Sequence, residues 1–211
     1  MKYKLIKEAC IESYDEALIA EKAGAHRIEL CSNINLDGIT PKKELIKKII
    51  TSIKIPVRVM IRPRDGDFNY SEDELKLMEK DINICKKLGV EGVVFGVLNK
   101  DLTIDINSTK RLVEASSTLK VTFHKAIDIT KDSLTALKTL CEIPGITSIL
   151  SSGREKTAKE GAKLLKQMIQ LANNDLIIIP AGKITLNNLF HIHQLIDAKE
   201  YHGRSIVSQF N

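Results

Sequence analysis

The sequence predicts a single (β/α)8 TIM barrel over residues 1–211, a short one with an incomplete last helix. Three observations carry this. Short apolar runs alternate with amphipathic segments about eight times from end to end. Runs such as VVF at 93–95 and LIII at 176–179 lack polar alternation, as parallel strands covered on both faces do. No G-x-G-x-x-G follows the first strand, which disfavours a doubly wound open sheet. Eight βα units with crossover helices then close most naturally into a barrel. At 211 residues the chain is small against the ~250 typical of this fold, and few residues follow the eighth strand.

The elements follow in order. LIKEA (5–9) reads as the first strand. Ser13 with Glu16 forms a capping box and opens a helix that closes at Gly24. HRIELC (26–31) is the second strand. Thr40 as N-cap and Pro41 at the first helical position open ELIKKIIT. VRVMI (57–61) is the third strand, and the Ser71–Glu74 capping box opens a helix running to Gly89. EGVVFGVL (91–98) is followed by a helix near 108–118, and VTFHKA (121–126) by one near 132–142. TSILSS (147–152) precedes a helix near 155–172, where Thr157 and Glu160 suggest a late capping box. LIIIPA (176–181), a helix near 185–195 and EYHGRSIV (200–207) complete the series. Nothing resembles a linker or a second domain.

Composition narrows the function classes. Apolar residues make up 43% and charged residues 28%, as in a soluble protein with a real core. The net charge of +5 comes from scattered lysines without any block of like charge. Aromatics are 4% and tryptophan is absent, so no base-stacking surface is expected and nucleic acid is not a predicted partner. No apolar run reaches the ~18 residues of a membrane span. The N-terminus MKYKLIKEAC lacks a signal-peptide pattern. The four cysteines (Cys10, Cys31, Cys85, Cys141) form no C-x-x-C, so reduced thiols and a cytoplasmic location are expected.

In such a barrel, function sits where strands end and βα loops begin. Several strands here end in ionisable or polar groups. The stretch MIRPRDGDFNY (60–70) shows it best, with Arg62 and Arg64 around Pro63. Side chains alternate along a strand. With Val57, Val59 and Ile61 facing the helices, Met60 and Arg62 face the axis. The same count turns Glu8, Cys10, Glu29, Cys31, Thr122 and His124 inward. One mouth therefore gathers Glu8, Glu29, Arg62 and His124, with Cys10, Cys31 and Arg64 about a layer higher. Glu8, Glu29 and Arg62 can form a structural ion-pair network or hold a ligand. His124 can be a hydrogen-bonded core residue or an acid, base or ligand. Two nearby thiols, Cys10 and Cys31, suit a soft ion such as Cu(I), although cysteines are often simply buried. Ser151-Ser152-Gly153 and Ala181-Gly182 can present backbone N–H groups to an anion or merely turn the chain.

The motifs RIELCSN with DGITP, VMIRPRDGDFNYSEDEL, GVVFGVLNKDLTID, VTFHKAID, ILSSG and IPAG, in that order, closely resemble the CutC family of copper homeostasis proteins. The resemblance covers about residues 5–205. It implies a TIM barrel, handling of copper as Cu(I) in the cytoplasm, and self-association. It points to Glu8, Cys10, Glu29, Cys31, Arg62, Arg64, Asp105, His124, Asp128, Ser152, Gly153, Gly182 and His202, with Cys31 matching the thiol proposed for copper. There are departures. Asp37-Gly38-Ile39 stands where the family usually has Gly-Gly before Thr-Pro. Lys125 stands in place of an arginine, and Lys183-Ile184 where a second glycine is usual.

Two functions follow as expectations. In the first, Cu(I) binds thiolate at Cys31 and Cys10. In the second, a barrel enzyme acts on a small anionic metabolite. Arg62 and Arg64 then clamp the anion, with Asp105, Ser152, Gly153, Gly182 and His202 helping to bind it. His124, Glu8, Glu29 and Asp128 supply acid and base. A variant of the second lets Glu8, Glu29 and His124 hold a divalent metal. A scaffold whose mouth only ion-pairs is the third option.

Overall fold

The computed structural model describes residues 5–173 and 176–210. Its strands are β1 (Ile6–Ile11), β2 (Arg27–Leu30), β3 (Val57–Met60), β4 (Gly92–Phe95), β5 (Lys120–Phe123), β6 (Ile146–Ser151), β7 (Ile177–Pro180) and β8 (Glu200–Gly203). Between them lie α1 (Tyr14–Lys22), α2 (Lys43–Ile50), α3 (Glu72–Leu88), α4 (Ile106–Ala115), α5 (Ser133–Cys141), α6 (Ala162–Ala172) and α7 (Leu189–Ile196). The strands form one parallel sheet in the order β7-β6-β5-β4-β3-β2-β1-β8. The hoop is nearly closed. Among the described residues an isolated parallel bridge, Thr185 to Ser205, joins its two ends, with Leu186 N–H donating to the Ser205 carbonyl at 2.9 Å. The TIM-barrel expectation holds, and no helix follows β8 among the described residues.

The outward strand residues make the main core. Ile28, Leu30, Val59, Ile61, Val93, Phe95, Val121 and Phe123 are fully buried against the helices. α3 meets them with Leu75, Met78 and Ile82, spaced for one helical face. Burying each such side chain contributes ~1.5–3 kcal/mol, so this annulus fixes which strand faces point inward.

Local boundaries depart from expectation for visible reasons. Ser71 and Glu74 form the full capping box of α3, and Gly89 closes that helix in the left-handed region (φ 80°). Ser13 accepts from the Glu16 amide, yet the Glu16 carboxylate turns to the Glu12 amide and to Arg204, so the box at α1 is half formed. Thr40 does not cap α2. Its hydroxyl donates to the Arg62 carbonyl and accepts the Arg62 amide, tying the β2 loop to the end of β3. β5 stops at Phe123 because the His124 ring accepts the Ala126 amide and starts a 3-10 turn. Helix α6 begins at Ala162, not near 155. The Thr157–Glu160 bonds form, but the backbone at Gly161 then crosses Gly153. A Cβ on Gly161 would lie 2.0 Å from the Ser152 carbonyl oxygen.

The barrel interior divides into two halves. Leu150, Ile179 and Ala181 fill one side, and Met60 and Val94 pack with Cys31. The other side is charged. Arg27 reaches across to both Glu8 and Glu200, joining β2, β1 and β8. Arg58 donates to Glu91 at 3.1 Å, Thr122 at 2.9 Å and Ser148 at 3.0 Å, joining β3 to β5 and β6. Apart from the partly exposed Glu91, these groups are almost wholly removed from water, so each buried charge needs its partner. Arg27→Met leaves Glu200 and Glu8 without their shared cation. It is expected to cost about 3–5 kcal/mol in urea unfolding, with part recovered on adding Glu200→Gln.

Candidate functional site

A cavity of about 810 Å³ opens at the C-terminal ends of the strands. Cys10, Glu29, Cys31, His124 and His202 line it from the strands, and Phe68 from the β3 loop. Alternation puts the first group there, and the pairing of β8, β1 and β2 brings four of them together.

The Cys10 and Cys31 sulfurs lie 3.7 Å apart. Donor atoms of Cys10, Glu29 and His202 all lie within 4.8 Å of one another. The His202 Nδ1 meets the Glu8 carboxylate at 2.8 Å. Glu8 is pulled upward by burial, but the Arg27 charge and then His202 prevail and hold it well below the usual carboxylate range. For His202 burial favours the neutral ring, yet Glu29, Cys10 and Glu8 together raise it well above its ordinary value. Burial pushes Glu29 up to about 7, with the His202 charge opposing and the Glu8 charge adding. The hydrogen bond to Cys31 and burial raise the Cys10 thiol. The floor is thus an ionised Glu8 beneath a charged imidazole, with protonated sulfur above.

His124 stands apart from this group. Its Nδ1 accepts the Ala126 amide at 3.2 Å, so Nε2 carries the ring proton. That Nε2 is buried and meets no hydrogen-bond partner. Burial, then the Arg62 charge, lower the ring to about 3. His124 is therefore a neutral donor at ordinary pH, packed against the Phe68 ring at 4.8 Å. It is not an acid–base group poised near neutrality.

Arg62 does not pair with Glu8, Glu29 or Asp128. Its Nη1 donates to the carbonyls of Leu36 (2.8 Å) and Gly38 (3.2 Å), and its Nη2 to Gly66 (2.9 Å). The fork that would clamp an anion instead binds the β2 and β3 loops together. Asp128 is similarly engaged. It accepts from the Ser151 and Ser152 hydroxyls and from the amides of Ser152 (2.8 Å) and Arg154 (3.2 Å). Of the N–H groups expected to face an external anion, that of Ser152 is held by this internal one, that of Gly153 by the Ser151 hydroxyl and that of Ala181 by the Ser151 carbonyl.

With the barrel and its floor described, the comparisons can be placed. The CutC family model matches residues 5–207. The chain belongs to the CutC family. It is 41% identical to the human "copper homeostasis protein cutC homolog" over 197 residues, 93% of this chain and 72% of that one. It is 44% identical to a CutC family protein of Parabacteroides distasonis, covering 97% and 85% of the two chains. The crystal structure of a CutC from Streptococcus agalactiae superposes with a TM-score of 0.91 at 32% identity, covering 96% of this chain and all of that one.

In this CutC-family barrel the residues predicted from sequence separate into groups. Glu8, Cys10, Glu29, Cys31 and His202 come together, with Arg62, His124, Asp128 and Ser152 around the same cavity. Four others go elsewhere. Arg64 pairs with Glu74 and Asp67 and lies over Tyr70, so it shapes its own loop. Asp105 caps α4 through the Ser108 amide at 2.9 Å. Gly182 packs where a Cβ would meet Ser152 Cβ at 3.0 Å. Gly153 likewise supports the backbone crossing at Gly161. Lys183 takes φ 53°, the left-handed conformation that glycine adopts freely. The proposed divalent site of Glu8, Glu29 and His124 does not assemble, because Glu8 is held by Arg27 and His202. Arg27, Arg58 and Glu200 were missed, although the alternation that turned Glu29, Met60 and Glu8 inward applies equally to Arg27 and Arg58. Phe68 carried no signal beyond its place in a loop.

His124 gives a pH prediction. Its folded value of about 3 lies below the ordinary 6.5, so the unfolded chain binds the proton first. Its contribution to stability is full above 6.5 and falls with pH through that window. His124→Phe should remove up to ~1.4 kcal/mol per pH unit from the slope of urea stability between about pH 6.5 and 4.

Proposed function

We propose that the chain binds copper as Cu(I) at the cavity floor, as cargo held for buffering or delivery. Cys10 and Cys31 supply thiolates and His202 a third ligand. The observation that supports this most is the 3.7 Å separation of the two sulfurs. With a metal–thiolate bond of ~2.3 Å, both reach one ion at nearly the tetrahedral angle. Thiolates suit the soft Cu(I) ion, and imidazole is an accepted companion. Ligating histidines give their other ring N–H to a carboxylate, which orients the ring. Here Glu8 takes Nδ1, leaving Nε2 for the ion. The names of the human and bacterial relatives point the same way. All four cysteines are unbridged, as a thiolate site in a reducing cytoplasm requires.

Binding has a proton cost in this arrangement. Cys10 and His202 both hold protons that the ion must displace. Affinity is therefore expected to rise with pH between about 6 and 8. Anaerobic competition against a chromogenic Cu(I) chelator measures this. One equivalent should bind to the wild type. Cys10→Ser with Cys31→Ser should weaken binding by more than the ~10–100-fold that outer-shell changes cost. A double variant that binds as tightly as the wild type overturns the assignment.

A further inference from the structure

We infer that the cavity floor also takes a borderline divalent ion of the zinc type, with Glu29 as the ligand that Cu(I) binding leaves idle. Glu29 is 2% exposed, and its Oε2 meets no hydrogen-bond partner. His202 does not satisfy that oxygen. Its Nδ1 lies 3.9 Å away and is already bonded to Glu8 at 2.8 Å. A buried oxygen without a partner calls for an occupant. Here the groups around it are metal donors. One donor atom each from Cys10, Glu29 and His202 falls within a common 4.8 Å. Cys31 adds a fourth, its sulfur 3.7 Å from that of Cys10.

The chemistry of the donors selects the class of ion. Zinc accepts thiolate, imidazole and carboxylate together, at ~2.3, ~2.0 and ~2.1 Å in a tetrahedron. Donors around such an ion lie about 3.3–3.8 Å apart, a spacing the two sulfurs already have. Cu(I) is served by the soft sulfurs and the imidazole, and gains little from a hard carboxylate oxygen. A divalent ion does gain, because a further anion matches its second charge. Magnesium and calcium take oxygen ligands and do not suit a pair of thiols. Histidine ligands of zinc commonly give their other ring N–H to a carboxylate, and Glu8 holds that place behind His202. The half-buried Cys10 lines the cavity of about 810 Å³, which gives the ion its entry path.

Cys10, Cys31 and His202 serve both ions, yet zinc uptake does not require Cu(I) uptake, so the two assignments fail separately. The experiment titrates the full chain anaerobically with zinc chloride against a chromogenic zinc chelator, and in parallel with cobalt(II) chloride. One equivalent of zinc should bind. The cobalt form should show the strong visible bands of a tetrahedral ion and a thiolate-to-cobalt charge-transfer band. That reading is made on the wild type and needs no variant to fold. Cys10→Ser with Cys31→Ser should remove the charge-transfer band. Glu29→Gln keeps the side chain's size and removes its charge. It should weaken zinc binding at least about tenfold more than it weakens Cu(I) binding, since only zinc loses a direct ligand. The assignment is overturned if the wild type takes up no stoichiometric zinc, or if its cobalt form is octahedral or lacks the thiolate band. It also falls if the band survives in the double serine variant, or if a folded Glu29→Gln loses no more zinc affinity than Cu(I) affinity. A chain that takes zinc and no Cu(I) sinks the copper assignment alone.

Discussion

The Glu8 carboxylate is the contact on which the candidate site depends. One oxygen takes Arg27 and the other takes His202, so a single side chain joins β2 to β8 through β1. A carboxylate this deep would be costly alone. Two cations reverse the balance and keep it ionised. The consequence passes upward. An ionised Glu8 fixes the His202 ring, and that ring faces Cys10 and Glu29. The pairing register then sets Cys10 beside Glu29, two residues before Cys31. Sulfur, imidazole and carboxylate converge because one buried charge had to be matched.

The loops above this floor are organised by the same economy of charge. Arg62 and Asp128 are the residues that most resemble catalytic equipment in the sequence. In the structure each satisfies backbone groups of the loops around the cavity. They tie the loops around the cavity to one another. The groups left facing the floor are the two thiols, Glu29 and His202.

The barrel was legible because its signals are local. Capping at Ser71, closure at Gly89 and apolar strands such as VVF each restate the same period. The inward set of Glu8, Cys10, Glu29, Cys31 and His124 follows from alternation alone. Partnership was less legible. Nothing in the spacing of Arg62 shows that its fork would find Leu36 and Gly38 rather than a carboxylate. The same holds for Asp128, whose partners lie 23 to 26 residues away. Arg27 and Arg58 escaped notice because they sit near the starts of β2 and β3, away from the C-terminal strand ends that carry function in such barrels. Their partners across the barrel, Glu8 and Glu200 for one and Glu91, Thr122 and Ser148 for the other, emerge only in the closed fold. The start of α6 was misplaced for a related reason, since the approach of Gly161 to Gly153 is a contact between loops.

The lone bridge between Thr185 and Ser205 makes the hoop a slit ring. Seven ladders resist stretching, while this seam has one backbone bridge. Elastic compliance therefore concentrates beside β8, as local opening does wherever few hydrogen bonds cross a boundary. Cys10, Glu29, Cys31 and His202 all lie on the same flank of the slit, on or just past three laddered strands. The spacing of these four side chains is therefore set by continuous ladders and owes nothing to the bridge across the slit.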